Sequence, residues 1–374
     1  MKVYRLEYPR PNFVRKQWLN LNGIWDFEFD NDKVGKKEKW FLGTKKFSKK
    51  INVPFVYQSK LSGINDPSIH DWIWYKRELN IPEEWQDKRI PLHFGAVDYR
   101  AWVYINGHQV GFHEGGHVPF SLDITEFLNY KNDFLVVHVE DPSTDETIPR
   151  GKQYWEEKPE GIWYTRSSGI WQTVWLEPVS DSRIESLRLT PDIDHGEITV
   201  EIEILNHEVV NQAVVEIEFK GEKVVKDTLV VNDPYIKRKI DLFNRHINRT
   251  SYHHSGWTWS PETPNLFDIR ITLLNKENEV IDEVESYFGM RKIHTENGMV
   301  YLNNKPYYQK LVLDQGYWPD GLMTAPSDED FKKDILLAKE MGFNGCRKHQ
   351  KVEDPRFLYW ADQLGFLVWG ECAA

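Results

Sequence analysis

KPYYQKLVLDQGYWPDG (residues 305–321), FNGCRKHQ (343–350) and GFLVWGECAA (365–374) hold three short apolar runs, each ending in polar groups. Two stretches of helical periodicity separate them. In the first, Phe331, Ile335 and Ala338 share one face, Ser327 and Asp330 stand three apart like a capping box, and Gly342 stops the helix. In the second, Asp354-Pro355 puts proline at the first helical position; Phe357, Leu358, Ala361 and Leu364 form the stripe and Gly365 ends it. Strands alternating with helices predict βαβ units and a parallel sheet. The polar groups at the strand ends are Asp314, then Arg347 and His349, then Glu371. In a β/α barrel that end carries the active site. A whole barrel takes about 250 residues, and the segment after residue 290 is about 80, so the reading is the first β/α units of a TIM barrel, incomplete at Ala374.

Upstream the period changes to two. Ile198–Ile204, Val214–Phe219 and Ile269–Leu273 alternate apolar and polar residues, and Lys220-Gly221 and Asn275–Asn278 read as hairpin turns. Residues 181–290 are expected to form an immunoglobulin-like β-sandwich. Residues 1–180 alternate in the same way at 23–29, 75–81, 101–105 and 134–139, with Asn106-Gly107 as a strong hairpin signal. They are expected to form a jelly-roll β-sandwich, with Asp123–Leu128 as one short turn or helix. Residues 141–169 form a long loop rich in Pro, Gly and charge, and such loops are often functional. The expected fold class is multidomain and mainly β, divided 1–180, 181–290 and 291–374.

Bulk composition narrows the function. The 374 residues carry a formal charge of −11, which argues against a phosphate-backbone partner, so no nucleic acid is expected. The lysine-rich stretch 36–50 reads as a solvated loop or strand flank. No apolar run reaches the roughly 18 residues of a membrane span, so no membrane partner is expected. The N-terminus lacks the apolar core of a signal peptide, and the cytoplasm is the default compartment. Cys346 and Cys372 read as free thiols, and zinc spacing is absent. His113, His117, His253 and His254 show no metal-ligand pattern and read as loop or core residues. With 16 Trp the chain is rich in rings that can stack on sugars, yet packing should take most of them.

The motifs NGIWDF (22–27), YKRELNIPEEW (75–85), HFGAVDYRAWVYINGHQVGFHEGGHVPFSLDITEFL (93–128), SGIWQTVWLEP (168–178), SPETPNLFDIRI (260–271), FGMRKI (288–293), YLNNKPYYQ (301–309), FNGCRKH and ADQLGFLVWGE occur in one order and spacing. In these the chain resembles glycoside hydrolase family 2, whose members include β-galactosidases, β-glucuronidases and β-mannosidases. The resemblance covers essentially the whole chain. It implies a jelly roll, an immunoglobulin-like domain and a catalytic barrel. It also implies a retaining β-glycosidase acting on terminal β-linked sugars, β-galactosidase-like foremost. Retention needs two carboxylates about 5 Å apart. In the family these glutamates end barrel strands four and seven, so both are expected beyond Ala374 and this chain alone is expected to be inactive. Asn278-Glu279 lies in a predicted hairpin turn and reads as solvent-facing.

The resemblance leaves part of a substrate pocket here: Arg347 and His349, with Asp314, Trp318 and Glu371 at neighbouring strand ends. Trp163 stands where some β-galactosidases place a sugar-contacting Asp. Beside these stand plainer readings: an Arg347–Asp314 buried ion pair, an exposed Glu371, and packing roles for Trp163 and Trp318. No cofactor or metal is assigned to these residues; the resemblance implies Mg²⁺ or Na⁺ in the full-length protein. The expected partner is a carbohydrate. A bare parallel edge would favour association, so a homo-oligomer is a further expectation. The alternative function is a non-catalytic carbohydrate-binding protein with a vestigial barrel start.

Overall fold

Alternation of apolar and polar residues turns directly into layers. The computed structural model describes residues 2–242 and 256–374, so His253 and His254 lie outside it. A six-stranded and a four-stranded sheet, in which every strand pairing is antiparallel, pack around one apolar cluster. Asp133–Glu140 lies between Trp72–Leu79 and Arg100–Ile105, and Leu135, Val137 and Val139 face the same core as Ile73 and Tyr75. Burial of each such side chain stabilises by about 1.5–3 kcal/mol. Asn106 and Gly107 take φ of 51° and 85°. That left-handed pair matches the twist of flanking strands, which is why Asn-Gly closes the hairpin.

The lysine-rich stretch holds more than a solvated loop. Its lysines stay in water, but Trp40 and Phe47 cover the outer face of the six-stranded sheet and build a second small core with Trp74 and Tyr104. Only the ring positions betray this, because the surrounding charge hides the apolar pattern.

A second sandwich pairs a three-stranded sheet (Arg183–Asp192, Glu197–Leu205, Tyr235–Asp241) with a four-stranded one (Gln212–Phe219, Glu222–Val230, Phe267–Leu274, Val280–Phe288). Ile198, Val200, Ile202 and Ile204 face Val215, Ile217, Ile269 and Ile271 inside it. Asn278 has φ of 65° in the last hairpin and Glu279 is exposed. This dipeptide therefore faces solvent.

The C-terminal layer is a three-stranded parallel sheet, Leu311–Asp314, Gly345–Lys348 and Leu367–Trp369, with helices α1 (Asp328–Glu340) and α2 (Pro355–Leu364) between the strands. Val312, Cys346 and Val368 stand in register. Phe331, Ile335, Phe357, Ala361 and Phe366 pack beneath the sheet. Asp354 caps α2 by accepting the Arg356 N–H at 2.8 Å, and Gly365 ends it at φ 70°. Ser327 is the residue before α1 but does not close a capping box. Its hydroxyl donates to the Asp330 carboxylate at 2.6 Å instead of accepting a backbone N–H. Among the described residues both outer strands have one free edge, and Leu313 and Trp369 on these strands are exposed.

Residues 315–325 fasten this layer to the first sandwich. The Thr324 hydroxyl donates to the Trp171 carbonyl at 2.6 Å, and Met323 packs with Val56, Ala96 and Trp171. Arg5 reaches Asp354 at 3.0 Å. Among the described residues no helix is long and apolar enough to cross a membrane.

Candidate functional site

Three parallel strands end on the same side, and their last residues meet there. The Glu371 carboxylate accepts hydrogen bonds from the Arg347 guanidinium, from His349 Nδ1 at 2.9 Å and from the Gln350 backbone N–H at 3.0 Å. The Arg347 hydrogen bond, with help from Gln350 and His349, holds the carboxyl down at about 2. Glu371 is therefore a fixed anion near neutral pH, with its oxygens already taken.

Asp314 sits on the other side of the middle strand. Strand residues alternate faces, so neighbouring Arg347 and Lys348 point apart. The register sets Asp314 beside Lys348, and their charges meet at 2.6 Å. The Arg347–Asp314 ion pair is thus replaced by a Lys348–Asp314 pair. Lys348 is 1% exposed and also meets Glu353 at 2.9 Å, while Lys351 meets Glu353 at 3.0 Å. Burial opposes the charge on Glu353, but the two ammonium groups overcome it and hold the carboxyl at about 2. The Asp314 carbonyl accepts the His349 N–H at 2.8 Å, which links the two groups.

The long loop of the first sandwich lies over these strand ends. The N–H groups of Arg150 and Gly151 donate to the Ala374 carbonyl at 3.3 and 3.1 Å. Tyr164 stacks on Tyr317 with centroids 4.0 Å apart and planes at 10°. Among the described residues Trp163 packs with Tyr154 and Trp155, apart from the Arg347–Glu371 group. Trp318 packs edge-on against Phe331 of α1 at 5.7 Å. The structure thus gathers Arg347, His349 and Glu371, keeps Asp314 on the Lys348 side, and sets Trp318 and Trp163 in separate ring clusters. A cavity of about 430 Å³ rimmed by Tyr164, Tyr317 and Asp314 runs along the free edge of the first strand towards Ile335. None of Arg347, His349 and Glu371 lines it.

Gly151 has φ of 64°, and a Cβ there would fall on the Gln350 carbonyl. Gly151→Ala is expected to cost about 1–3 kcal/mol through strain and displacement of the loop. Thermal unfolding with hydrogen exchange at residues 150–154 checks this; an unchanged melting temperature and exchange pattern would sink it.

Residues 18–177 match the model of the sugar binding domain of glycosyl hydrolases family 2, and residues 182–291 match a second model of glycosyl hydrolases family 2. The chain belongs to glycosyl hydrolase family 2. A putative β-glucuronidase of Formosa agariphila is 28% identical over 331 residues, covering 86% of this chain and 37% of that protein. A β-galactosidase of Thermoanaerobacter pseudethanolicus is 27% identical over 311 residues, covering 80% and 39%. The chain therefore spans about two fifths of the length of these curated relatives. The solved β-glucuronidase of Ruminococcus gnavus in complex with D-glucuronic acid superposes with a TM-score of 0.78 at 21% identity, over 99% of this chain and 62% of that one. That likeness concerns the fold.

This family 2 chain also carries site residues that sequence reasoning passed over. Lys348, Lys351 and Glu353 are buried charges at the strand end, and their signal was the spacing Lys348-x-x-Lys351-x-Glu353 just before the α2 cap. Asp98 and Asp141 are buried beneath the loop. Gln153 donates to Asp98 at 2.7 Å, and Ser168 donates to Asp141. Burial, then the neighbouring Asp141, pushes the Asp98 carboxyl well up, and burial pushes Asp141 to about 6. No local pattern marks these two: Asp98 sits in a short strand and Asp141 just after Glu140 ends another, and only the fold brings them under the loop. His117 is a buried residue, packed edge-on to Trp171 at 5.7 Å. Among the described residues no three His, Cys, Asp or Glu side chains group as metal ligands. With Glu371 committed to Arg347 and His349, these residues do not by themselves fit Mg²⁺ or Na⁺, and no step is routed through a metal.

Proposed function

We propose that this chain is the N-terminal part of a retaining β-glycosidase that removes terminal β-linked sugars, with a β-galactoside as the first candidate substrate. One observation carries the reading: Arg347, His349 and Glu371 converge at the C-terminal ends of parallel strands, beneath a loop of the sugar-binding-type domain. That is the side where β/α barrels bind substrate. The parallel layer is read as the opening of a (β/α)₈ barrel, with the chain divided at 1–180, 181–290 and 291–374. Arg347 and His349 then bind sugar hydroxyls while Glu371 holds both in place. Asp314, Trp318 and Trp163 complete the substrate side, Asp314 and Trp318 through the wall they stiffen. A carboxyl held at about 2 is a poor proton carrier near pH 7, so Glu371 is assigned to positioning. The acid/base and nucleophile are assigned to residues outside the 374.

Hydrolysis of nitrophenyl β-galactoside, β-glucuronide, β-mannoside and β-glucoside tests this. Turnover is expected from the full polypeptide that carries this chain and not from residues 1–374 alone. A full polypeptide that binds sugars but cleaves none would favour a non-catalytic carbohydrate-binding protein. Turnover by the 374 residues that is lost in Glu371→Gln or Asp314→Asn would mean the catalytic carboxylates are misassigned.

A further inference from the structure

The loop that lies over the strand ends is fastened at both of its legs by buried carboxyls. Gln153 donates to Asp98 at 2.7 Å, and its amide oxygen accepts the Ser167 N–H at 2.6 Å, so one side chain ties the outgoing leg to the returning one. Ser168 donates to Asp141, where the loop begins, and Gln58 donates to the same hydroxyl at 2.8 Å. Gly169 then pairs with Asp98 in a two-stranded ladder. Residues 167–169 therefore run past both carboxyls in three consecutive steps, and the charge of Asp141 is felt at Asp98.

The donors are few for two buried charges. Glu177 and Glu353 are each met by two cations, and buried Asp30 accepts three N–H groups. Asp98 is 3% exposed and Asp141 5%, and their hydrogen bonds come from neutral groups, an amide and a hydroxyl. Arg150 and Arg166 stand near, but their terminal nitrogens donate to the carbonyls of Ser143, Asp145, Glu156 and Pro67. Asp71 adds repulsion at Asp141, while the hydroxyls of Tyr57, Tyr99 and Tyr317 facing the pair are neutral near pH 7. Burial with so few donors favours the protonated forms, and a charge on either acid raises the cost of a charge on the other. Both carboxyls are accordingly pushed up.

We propose that Asp98 and Asp141 form a proton-operated latch on residues 150–164: the protonated pair holds this loop down on the strand ends, and each proton lost to water loosens it. The contacts it keeps in place are the Gly151 N–H on the Ala374 carbonyl at 3.1 Å and the Tyr164–Tyr317 stack. Carboxyls whose folded values lie above the unfolded ones favour the closed form at low pH and oppose it as pH rises. The consequence for sugar rests on the glycosidase reading above: the pair positions the loop beside Arg347, His349 and Glu371 and touches no substrate itself.

Hydrogen exchange from about pH 5 to about pH 9, bracketing the ordinary carboxyl range and the raised one, tests this on the full polypeptide. The variants are Asp98→Asn, Asp141→Asn and the double change, and each rate is divided by the intrinsic rate at its pH. Protection of residues 150–164 is expected to fall about 10-fold or more in wild type, since one unit of carboxyl shift is a factor of ten. The fall should be smaller in each single variant and within about 2-fold in the double variant, which has no carboxyl left to ionise. Residues 198–204 of the second sandwich should keep their protection throughout. A flat wild-type profile, an equal fall in wild type and the single variants, or a fall that extends to residues 198–204 would overturn the latch. Melting temperatures control for folding, and the single variants carry the test if the double variant does not fold. The KM for nitrophenyl β-galactoside should rise with pH in wild type and less in the variants; an equal rise would remove the positioning role. A polypeptide that cleaves no glycoside ends the glycosidase reading, and exchange still decides the latch.

Discussion

Glu353→Gln is expected to lower the free energy of unfolding by about 3–5 kcal/mol, because it leaves buried ammonium groups without their shared partner. Glu353 lies between Lys348 at 2.9 Å and Lys351 at 3.0 Å, and it also accepts the Asp354 N–H at 2.9 Å. Lys348 keeps Asp314; Lys351 keeps only the carbonyls of Gly316 and Met323. Burial already pushes Lys351 down, so it is the group expected to shed its proton in the variant. A second change, Lys351→Met on top of Glu353→Gln, should recover part of the loss, since neighbours in one network are not additive. Urea unfolding of the single and double variants measures both. A single-variant loss below about 1 kcal/mol would show that water already screens the cluster as it does at a surface. The network also braces the strand end that presents Arg347 and His349, so on the proposed glycosidase reading the same variant should blunt sugar binding.

The second large effect is at the junction of the two sandwiches. Glu177 is fully buried and accepts from Tyr8 at 2.6 Å, Trp175 at 2.7 Å and Arg10 at 2.9 Å. Arg15 lies 3.5 Å from it and continues to Asp282 at 2.9 Å. Glu177→Gln keeps the shape and removes the charge that two guanidinium groups share, and should cost about 3–5 kcal/mol. The pH dependence has a definite sign. Burial works against the charged form, yet Arg10 and then His93 hold Glu177 at about 2, below the ordinary carboxyl value. Its stabilisation is present above the unfolded pKa of about 4.3 and is lost as pH falls towards 2. Buried His93 acts in the same direction: burial pushes it to about 3, so stability also drops as pH falls below about 6.5. Asp98 and Asp141 act oppositely, both raised by burial and so favouring the fold at low pH; Asp141 loses that contribution as pH rises through about 6, and Asp98 loses its own as pH rises through its raised value. Melting temperatures from pH 7 to 3 should fall in wild type and fall less steeply in Glu177→Gln. Parallel curves would remove Glu177 from the account.

What the sequence determined by itself was local. Periods of two and of 3.6 placed the strands and helices, because each depends only on which side of its own backbone a residue faces. Asn106-Gly107, Asp354-Pro355 and Gly365 marked their turn, cap and stop because φ is chosen residue by residue. The strand-end set Arg347, His349 and Glu371 was legible for the same reason: it follows from where each strand stops. Tertiary structure alone decided the partners. Register between strands more than 30 residues apart gave Asp314 to Lys348 and left Arg347 to Glu371. Packing on Phe331 took Trp318 away from the strand ends, and the fold of the long loop put Trp163 over Lys152. A charge becomes costly, and so informative, only when distant segments close over it, and no short stretch of sequence records that closure.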